Sequence, residues 1–325
     1  MSVPLSVLDL APVAEGSTSA QALHDTLGLA RHTERLGYHR YWLAEHHTMP
    51  GIASSATAVL IGQVAAATTR MRIGSGGIML PNHAPMVVAE QFGTLQALHP
   101  DRIDLGLGRA PGTDQATARA LRRSADALSV DDFPEQVAEL RGYFEDKSTV
   151  TPAAGNGVPV WLLGSSGYSA RLAGLLGLPF AFAHHFSAEN TLPALRLYRD
   201  SFRPTPEMPE PYSMIGVSVT AAETDEQARE LAAPQALSFL RLRQGRPGKL
   251  PTPQETAAHP YSDLERQLIQ SRLDDQVIGG PDTVRRKLDE LIERTAVDEV
   301  MVTTMTFDHA DRLRSYEILA GLYGL

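Results

Sequence analysis

The sequence predicts an α/β protein built as a (β/α)8 TIM barrel, and three observations carry that prediction. Eight short apolar runs recur along the chain, separated by amphipathic or Ala-rich stretches of helical length. Polar residues with chemical capability cluster just after those runs. In a (β/α)8 barrel that is the carboxyl end of the strands, where sites are built. Only one stretch, Gln244 to Asp275, breaks the rhythm. It reads as an insertion near the C-terminal end of the barrel and as a candidate lid, because long irregular segments inside compact domains are usually functional or disordered. The whole of 1–325 reads as one domain. A doubly wound open sheet is the structural alternative.

The elements follow in order. Val3 to Leu8 is a short apolar strand ending at Asp9, and Ser19 caps a helix that runs to Leu36 and stops at Gly37. Tyr38 to Leu43 is the second strand and delivers Glu45, His46 and His47. After the Pro50–Gly51 turn, an Ala-rich helix starts at Ser54 or Ser55 and reaches Thr68. Met71 to Gly74 is the third strand and runs into Ser75, Gly76 and Gly77. Pro85 opens a helix to Leu98, proline being suited to a first turn. Arg102 to Leu107 is the fourth strand, followed by Gly108, Arg109 and Ala110. Ala116 to Phe144 is helical with a break near Val130 to Pro134. Lys147 to Val158 is a Gly- and Pro-rich loop and a candidate hairpin.

Pro159 to Leu163 is the fifth strand and meets Gly164-Ser165-Ser166-Gly167-Tyr168-Ser169, which opens a helix ending at Gly177. Pro179 to Ala183 is the sixth strand, ending in His184 and His185, and Glu189 to Phe202 the helix after it. Tyr212 to Thr220 is the seventh strand. Asp225 to Arg243 is a helix with Pro234 as a candidate break. A helix-like piece follows Tyr261. Gly280 and Pro281 start a helix to Arg294, Asp298 to Thr304 is the eighth strand, and Ala310 to Leu322 the closing helix.

Composition excludes several function classes. Twenty-nine basic against 38 acidic residues give a formal charge of −9, which argues against a broad footprint on nucleic acid or on anionic membrane. With no cysteine there is no disulfide, thiolate metal site, iron–sulfur cluster or cysteine nucleophile. The segment MSVPLSVLDLAPV lacks a basic leader and a long apolar stretch, so no signal peptide is expected. No apolar run approaches the ~18 residues of a membrane span. A cytoplasmic protein is the expectation.

Three segments carry candidate chemistry. In Ala44-Glu45-His46-His47, histidine can move protons near neutral pH and Glu45 can orient or charge-balance one of them. Strand alternation sends Glu45 and His47 one way and His46 the other, so only one side faces the barrel mouth. The bland alternative is a structural Glu–His pair. A metal pair is disfavoured, since adjacent histidines on a strand do not readily chelate one ion. The Gly164–Ser169 segment joins a strand to a helix, and backbone N–H groups there, with Ser hydroxyls, suit a phosphate. The dipole contributes only ~0.3–1 kcal/mol, so a cation must help, and Arg109 is that candidate. The bland alternative is an ordinary Ser cap. Gly74 to Gly77 allow a flat ligand close to the backbone, or else mark a tight bend. Neither GxGxxG after the first strand nor GxxxxGK[ST] is present, and Ser165 and Ser166 sit in no GxSxG elbow.

Taken together, WLAEHH (42–47), GSGGIMLPNHAP (74–85) with AEQF after it, DLGLGRAPG (104–112), VWLLGSSGYSARLAGLLGLPFAF (160–182) and GGPDTVRRKLDELIERTAVDEVMV (279–302) resemble the bacterial luciferase-like, flavin-dependent monooxygenase family. The combination is specific and spans nearly the whole chain, though no single piece is. The resemblance implies a (β/α)8 barrel binding FMN at its carboxyl end, often as reduced FMN supplied by a separate flavin reductase. It implies His46 as catalytic acid/base. Gly76 and Gly77 match the positions where a non-proline cis peptide faces the flavin ring. Arg109 matches the phosphate-binding arginine, and Ser165, Ser166 and Ser169 the phosphate loop. A homodimer is expected on the same ground, and the Ala-rich helix after Ser54 is equally suited to a partner helix or to the core.

Departures from the family pattern bear on the substrate. The luciferases carry Glu where this chain has Ser165, and Cys where it has Gly108. A small residue at Gly108 is expected to widen the space beside the flavin, which points away from long-chain aldehyde oxidation and light emission. The implied reaction is two-component: reduced FMN and O2 oxygenate a small organic substrate through a C4a-peroxyflavin, with no metal. A deazaflavin hydride-transfer enzyme on the same barrel, a non-catalytic flavin-binding protein and, last, a metal-dependent hydrolase are the alternatives.

Overall fold

Short, mostly buried apolar strands leave no free sheet edge when the sheet closes, and here it does. The computed structural model describes residues 3–110, 117, 120–121 and 132–325. Eight parallel strands form the ring: β1 (Leu5–Asp9), β2 (Arg40–Leu43), β3 (Arg72–Ser75), β5 (Ile103–Gly108), β6 (Val160–Gly164), β7 (Phe180–Phe182), β8 (Ser213–Ala221) and β10 (Glu299–Thr303). The last, β10, pairs with both β8 and β1, which closes the barrel and rules out the open doubly wound sheet. Two further strands were not expected. β4 (Ile78–Met79) adds to β5, and β9 (Val277–Gly279) extends the end of β8. Both are too short to leave a periodic signal.

The helices between strands are α1 (Ser19–Leu36), α2 (Thr57–Ala67), α3 (Pro85–Leu98), α4 (Phe133–Tyr143), α5 (Gly167–Leu176), α6 (Thr191–Ser201), α7 (Asp225–Arg243), α8 (Pro253–Ala258), α9 (Asp263–Asp274), α10 (Pro281–Thr295) and α11 (His309–Tyr323). Thr18 accepts from the Gln21 N–H to start α1, and Gly37 in the left-handed conformation ends it. Most of the helix expected from Ala116 lies outside the described residues; α4 is its described end.

Two expectations need correction. Pro234 does not break α7, which runs through it. A mid-helix proline costs about 3 kcal/mol, but Pro234 lies on the buried face with Ala232, Ala236, Leu237 and Leu240, whose packing holds the helix. The candidate hairpin at Lys147 to Val158 is a series of turns with no paired strands and a cis Thr151–Pro152 bond. Within Gln244 to Asp275 lie α8 and α9, and Ser262 with Glu265 forms a capping box at the start of α9. Among the described residues no helix is long and apolar enough to cross a membrane.

Charges inside the barrel are sorted by end. At the amino ends of the strands, Arg40 donates to Asp104 (2.8 Å) and Glu299 (3.0 Å), and Arg72 Nε donates to Asp104 (3.0 Å). The Trp42 indole N–H also reaches Asp104, while Ser6 and Tyr212 donate to Glu299. Burial alone would lower the Arg40 pKa, but Asp104 and then Glu299 raise it above its ordinary value. This is a closed floor in which each carboxylate is met by donors.

Candidate active site

At the other end, the carboxyl ends of the strands open into a cavity of about 230 Å³. All seven residues singled out from the sequence line it: His46, Gly76, Gly77, Arg109, Ser165, Ser166 and Ser169. They come from the ends of β2, β3, β5 and β6. The rest of the wall is mostly apolar, with Leu8, Trp42, Leu163, Met214 and Met301 prominent.

One side of the cavity gathers hydrogen-bond donors. Ser166 holds the N-cap position of α5 yet makes no side-chain cap bond, so it is not an ordinary Ser cap. None of the Ser165, Ser166 and Ser169 hydroxyls has a hydrogen-bond partner among the described residues. The first N–H groups of a helix lack intrahelical acceptors, so α5 adds donors at the same place. Only glycine at 164 permits this arrangement, because a Cβ there would lie 2.7 Å from the Ser169 Oγ. The Arg109 guanidinium stacks over the Tyr168 ring, 4.1 Å from its centroid, and makes no ion pair with a described residue.

The histidine side is set by a buried carboxylate. Glu45 is fully buried and accepts from His47 Nε2 (2.9 Å), His83 Nε2 (2.9 Å) and the Met79 N–H (3.0 Å). Burial works to raise its pKa, but His83, then His47 and the Met79 amide, leave it below the ordinary carboxylate value. The alternation read from the sequence is what is seen: Glu45 and His47 meet on one side, and His46 turns to the cavity. For His47 the structural pairing is therefore the observed one. The His46 N–H is anchored on the Ser54 carbonyl (3.0 Å). Among the described residues no group of three or more His, Asp or Glu side chains could hold a metal ion.

The Gly76–Gly77 peptide bond is cis. A Cβ on Gly77 would lie 2.8 Å from the Gly106 carbonyl, and one on Gly76 would lie 2.7 Å from Leu8 Cδ1, so both glycines also answer to close wall packing. At Gly108 the expected extra space is filled: a Cβ there would meet the Met79 sulfur at 2.7 Å. Methionine is the side chain best able to fill such a gap.

Sequence reasoning assigned no role to His83 or His185. His83 sits within the Gly74–Pro85 segment, but its pairing with Glu45 is a contact between two loops that no spacing reveals. His185 follows the sixth strand as His46 follows the second, and that position was the available signal. Its Nδ1 and its backbone N–H both lie 2.9 Å from the Gly216 carbonyl. Burial, and after it the Arg272 charge, push its pKa down to about 4, against the Gly216 hydrogen bond. His184 turns away to Thr191 (2.7 Å).

A family model described as luciferase-like monooxygenase matches residues 3–299. The chain belongs to the luciferase-like monooxygenase family. Among curated relatives, YvbT of Bacillus subtilis is 54% identical, covering 98% of this chain and 96% of that one. A luciferase-like monooxygenase of Escherichia coli K12 is 49% identical, over 97% and 96%. The crystal structure of apo-MsnO8 has a TM-score of 0.93 at 39% identity, over 100% of this chain and 99% of that one. Two more distant structures share the fold. One is the oxygenating constituent of a Pseudomonas putida 3,6-diketocamphane monooxygenase in complex with FMN (TM-score 0.75, 16% identity, 98% and 97% covered). The other is an F420-dependent secondary alcohol dehydrogenase (TM-score 0.67, 14% identity, 98% of each chain covered).

Proposed function

We propose that this family member is an FMN-dependent monooxygenase of the two-component type, taking reduced FMN from a separate reductase and using O2 to oxygenate a small organic substrate. The observation that supports it most is one cavity holding, on one side, a helix N-terminus, three serine hydroxyls and an arginine that have no hydrogen-bond or ion partner among the described residues, and His46 within apolar walls on the other. These residues fit a phosphate-bearing flavin: the serine hydroxyls and Arg109 can all donate and face no carboxylate among the described residues, and the remaining surface suits a flat ring.

Bound reduced flavin would supply the electrons that activate oxygen. Ser165, Ser166, Ser169 and Arg109 hold its phosphate, with Gly76 and Gly77 as the wall beside its ring. The side chains of Leu8, Trp42, Leu163 and Met301 keep water out, which strengthens every electrostatic interaction inside. His46 moves a proton through its imidazole nitrogen. The 244–275 segment is proposed as the lid. It is tied to the loop after β1 by the Leu250 N–H on the Val13 carbonyl (2.9 Å) and Lys249 on the Ser17 carbonyl (2.7 Å), and Arg272 donates to the His185 carbonyl. A homodimer is proposed through α2 and α3, where Val59, Met86 and Val87 are apolar and exposed.

The test is to mix the anaerobic protein with reduced FMN, add oxygen, and follow absorbance by stopped flow. Reoxidation slower than that of free flavin, through a transient distinct from oxidised FMN, is expected. Reoxidation at the free-flavin rate, with a deazaflavin bound and reduced instead, would replace the proposal with hydride transfer on the same barrel. FMN bound without either behaviour would leave a flavin-binding protein.

A further inference from the structure

His185 lines the same cavity as His46 but is a different kind of group. Its Nδ1 faces the Gly216 carbonyl, which can only accept, so Nδ1 carries the ring proton and Nε2 carries the lone pair. That Nε2 has no partner among the described residues and is not sealed in the wall. The ring is held flat against β8 by design of the backbone: a Cβ on Gly216 would lie 2.8 Å from Nδ1 and 2.9 Å from Cε1. Arg272 of α9 fixes the same turn by donating to the His185 carbonyl. A buried imidazole near Arg272 resists protonation, which keeps the lone pair available at neutral pH.

Phe182 ends β7 just before His185 and Met214 lies on the neighbouring β8, both apolar; the serine hydroxyls stand after β6, on the other side of β7, and His46 is close enough for its charge to act on His185. A buried acceptor left without a partner discriminates between ligands, because a ligand without a donor leaves it desolvated and unpaired. We propose that His185 Nε2 is the specificity-determining acceptor of the substrate subsite, and that the substrate is a small apolar molecule carrying one O–H or N–H donor. This rests on the monooxygenase reading of the cavity, with the flavin phosphate at the serines.

The test uses the matched pair phenol and anisole, which differ by replacing the donor hydrogen with a methyl group. Their dissociation constants are measured by calorimetry on the wild-type protein, on His185→Phe and on Gly216→Ala, each with and without FMN. Circular dichroism melting confirms that each variant is folded. Wild type should prefer phenol by about tenfold, the size of one buried hydrogen bond, and His185→Phe should bind both alike. Gly216→Ala keeps the imidazole but displaces the ring, and should lose most of the preference. In 15N-labelled wild type, phenol and not anisole should move the His185 Nε2 resonance. No preference in wild type, including no binding of either probe, overturns the proposal, as does a preference that survives His185→Phe. If His185→Phe instead weakens FMN binding while leaving the probes unchanged, the acceptor reads the flavin and the proposal falls. FMN failing to bind wild type sinks the flavin reading, whereas the probe preference stands or falls on its own numbers.

Discussion

The two ends of this barrel hold the same kinds of charged side chain in opposite conditions. At the floor, Arg40 and Arg72 close on Asp104 and Glu299, and Ser6, Trp42 and Tyr212 donate to the same two carboxylates. At the mouth, Arg109 faces no carboxylate and three serine hydroxyls have no partner among the described residues. Asp9, although at the carboxyl end of β1, belongs with the floor in kind. It turns to the helices and is met by Arg312, Thr26 and Tyr41. Burial would raise its pKa, but Arg312 leads the contacts that hold it below the ordinary value. Paired charge holds the fold together; donors without partners among the described residues, gathered in one cavity, are what the proposed phosphate site requires. Charge type alone does not distinguish the two ends; the partners each charge meets do.

The contrast predicts its biggest stability loss at the floor. Asp104→Ala strands Arg72 and half of the Arg40 pairing in a buried setting, and removing one partner of a buried ion pair costs about 3–5 kcal/mol. Chemical denaturation should show that loss, while the FMN affinity of the folded protein stays at the wild-type value. Full stability in Asp104→Ala would mean the floor is no more structural than the mouth.

A somewhat smaller effect separates a mouth residue that is nonetheless structural in its acid response. Folded His185 titrates at about 4 against an ordinary 6.5. Between those values the unfolded chain takes up a proton that the folded chain refuses, so stability falls as the pH drops through that window and is complete above it. The contribution is on the order of 3 kcal/mol. His185→Phe should flatten the stability profile between pH 6.5 and 4 relative to wild type. An unchanged slope would show that other buried histidines, such as His184, carry the acid response.

Much of this was legible in the sequence, for physical reasons that also mark where legibility stopped. Apolar runs of strand length declare themselves, so each ring strand could be read; β4 and β9, at two and three residues, could not. Pro234 misled because local propensity was overruled by the packing of a buried face. At the site, the ends of β2, β3, β5 and β6 identified the cavity residues because strand ends in a closed parallel barrel must converge. What convergence brings together across loops stayed hidden. His83 meets Glu45, Met79 fills the space at Gly108, and the Gly216 carbonyl fixes the His185 tautomer, each a contact without a sequence period.

The smallest of these effects is the one most specific to the mouth. Arg109 has no ion partner among the described residues, so Arg109→Ala should leave the melting temperature unchanged while weakening FMN. Hydrogen bonds to a charged group contribute about 1.5–3 kcal/mol, which is roughly a ten- to hundredfold rise in the dissociation constant. Arg109→Lys should recover part of that, since an ammonium keeps the charge but not the planar fork. The decisive control is riboflavin, which has the same ring and no phosphate. If Arg109 serves the phosphate, riboflavin affinity is the same in wild type and Arg109→Ala, and raising the salt concentration narrows the gap seen with FMN. If riboflavin suffers equally, Arg109 and the Tyr168 ring beneath it are acting on the flat part of the ligand. The arginine would then be a stacking surface, and the contrast with the floor would lie in shape more than in charge.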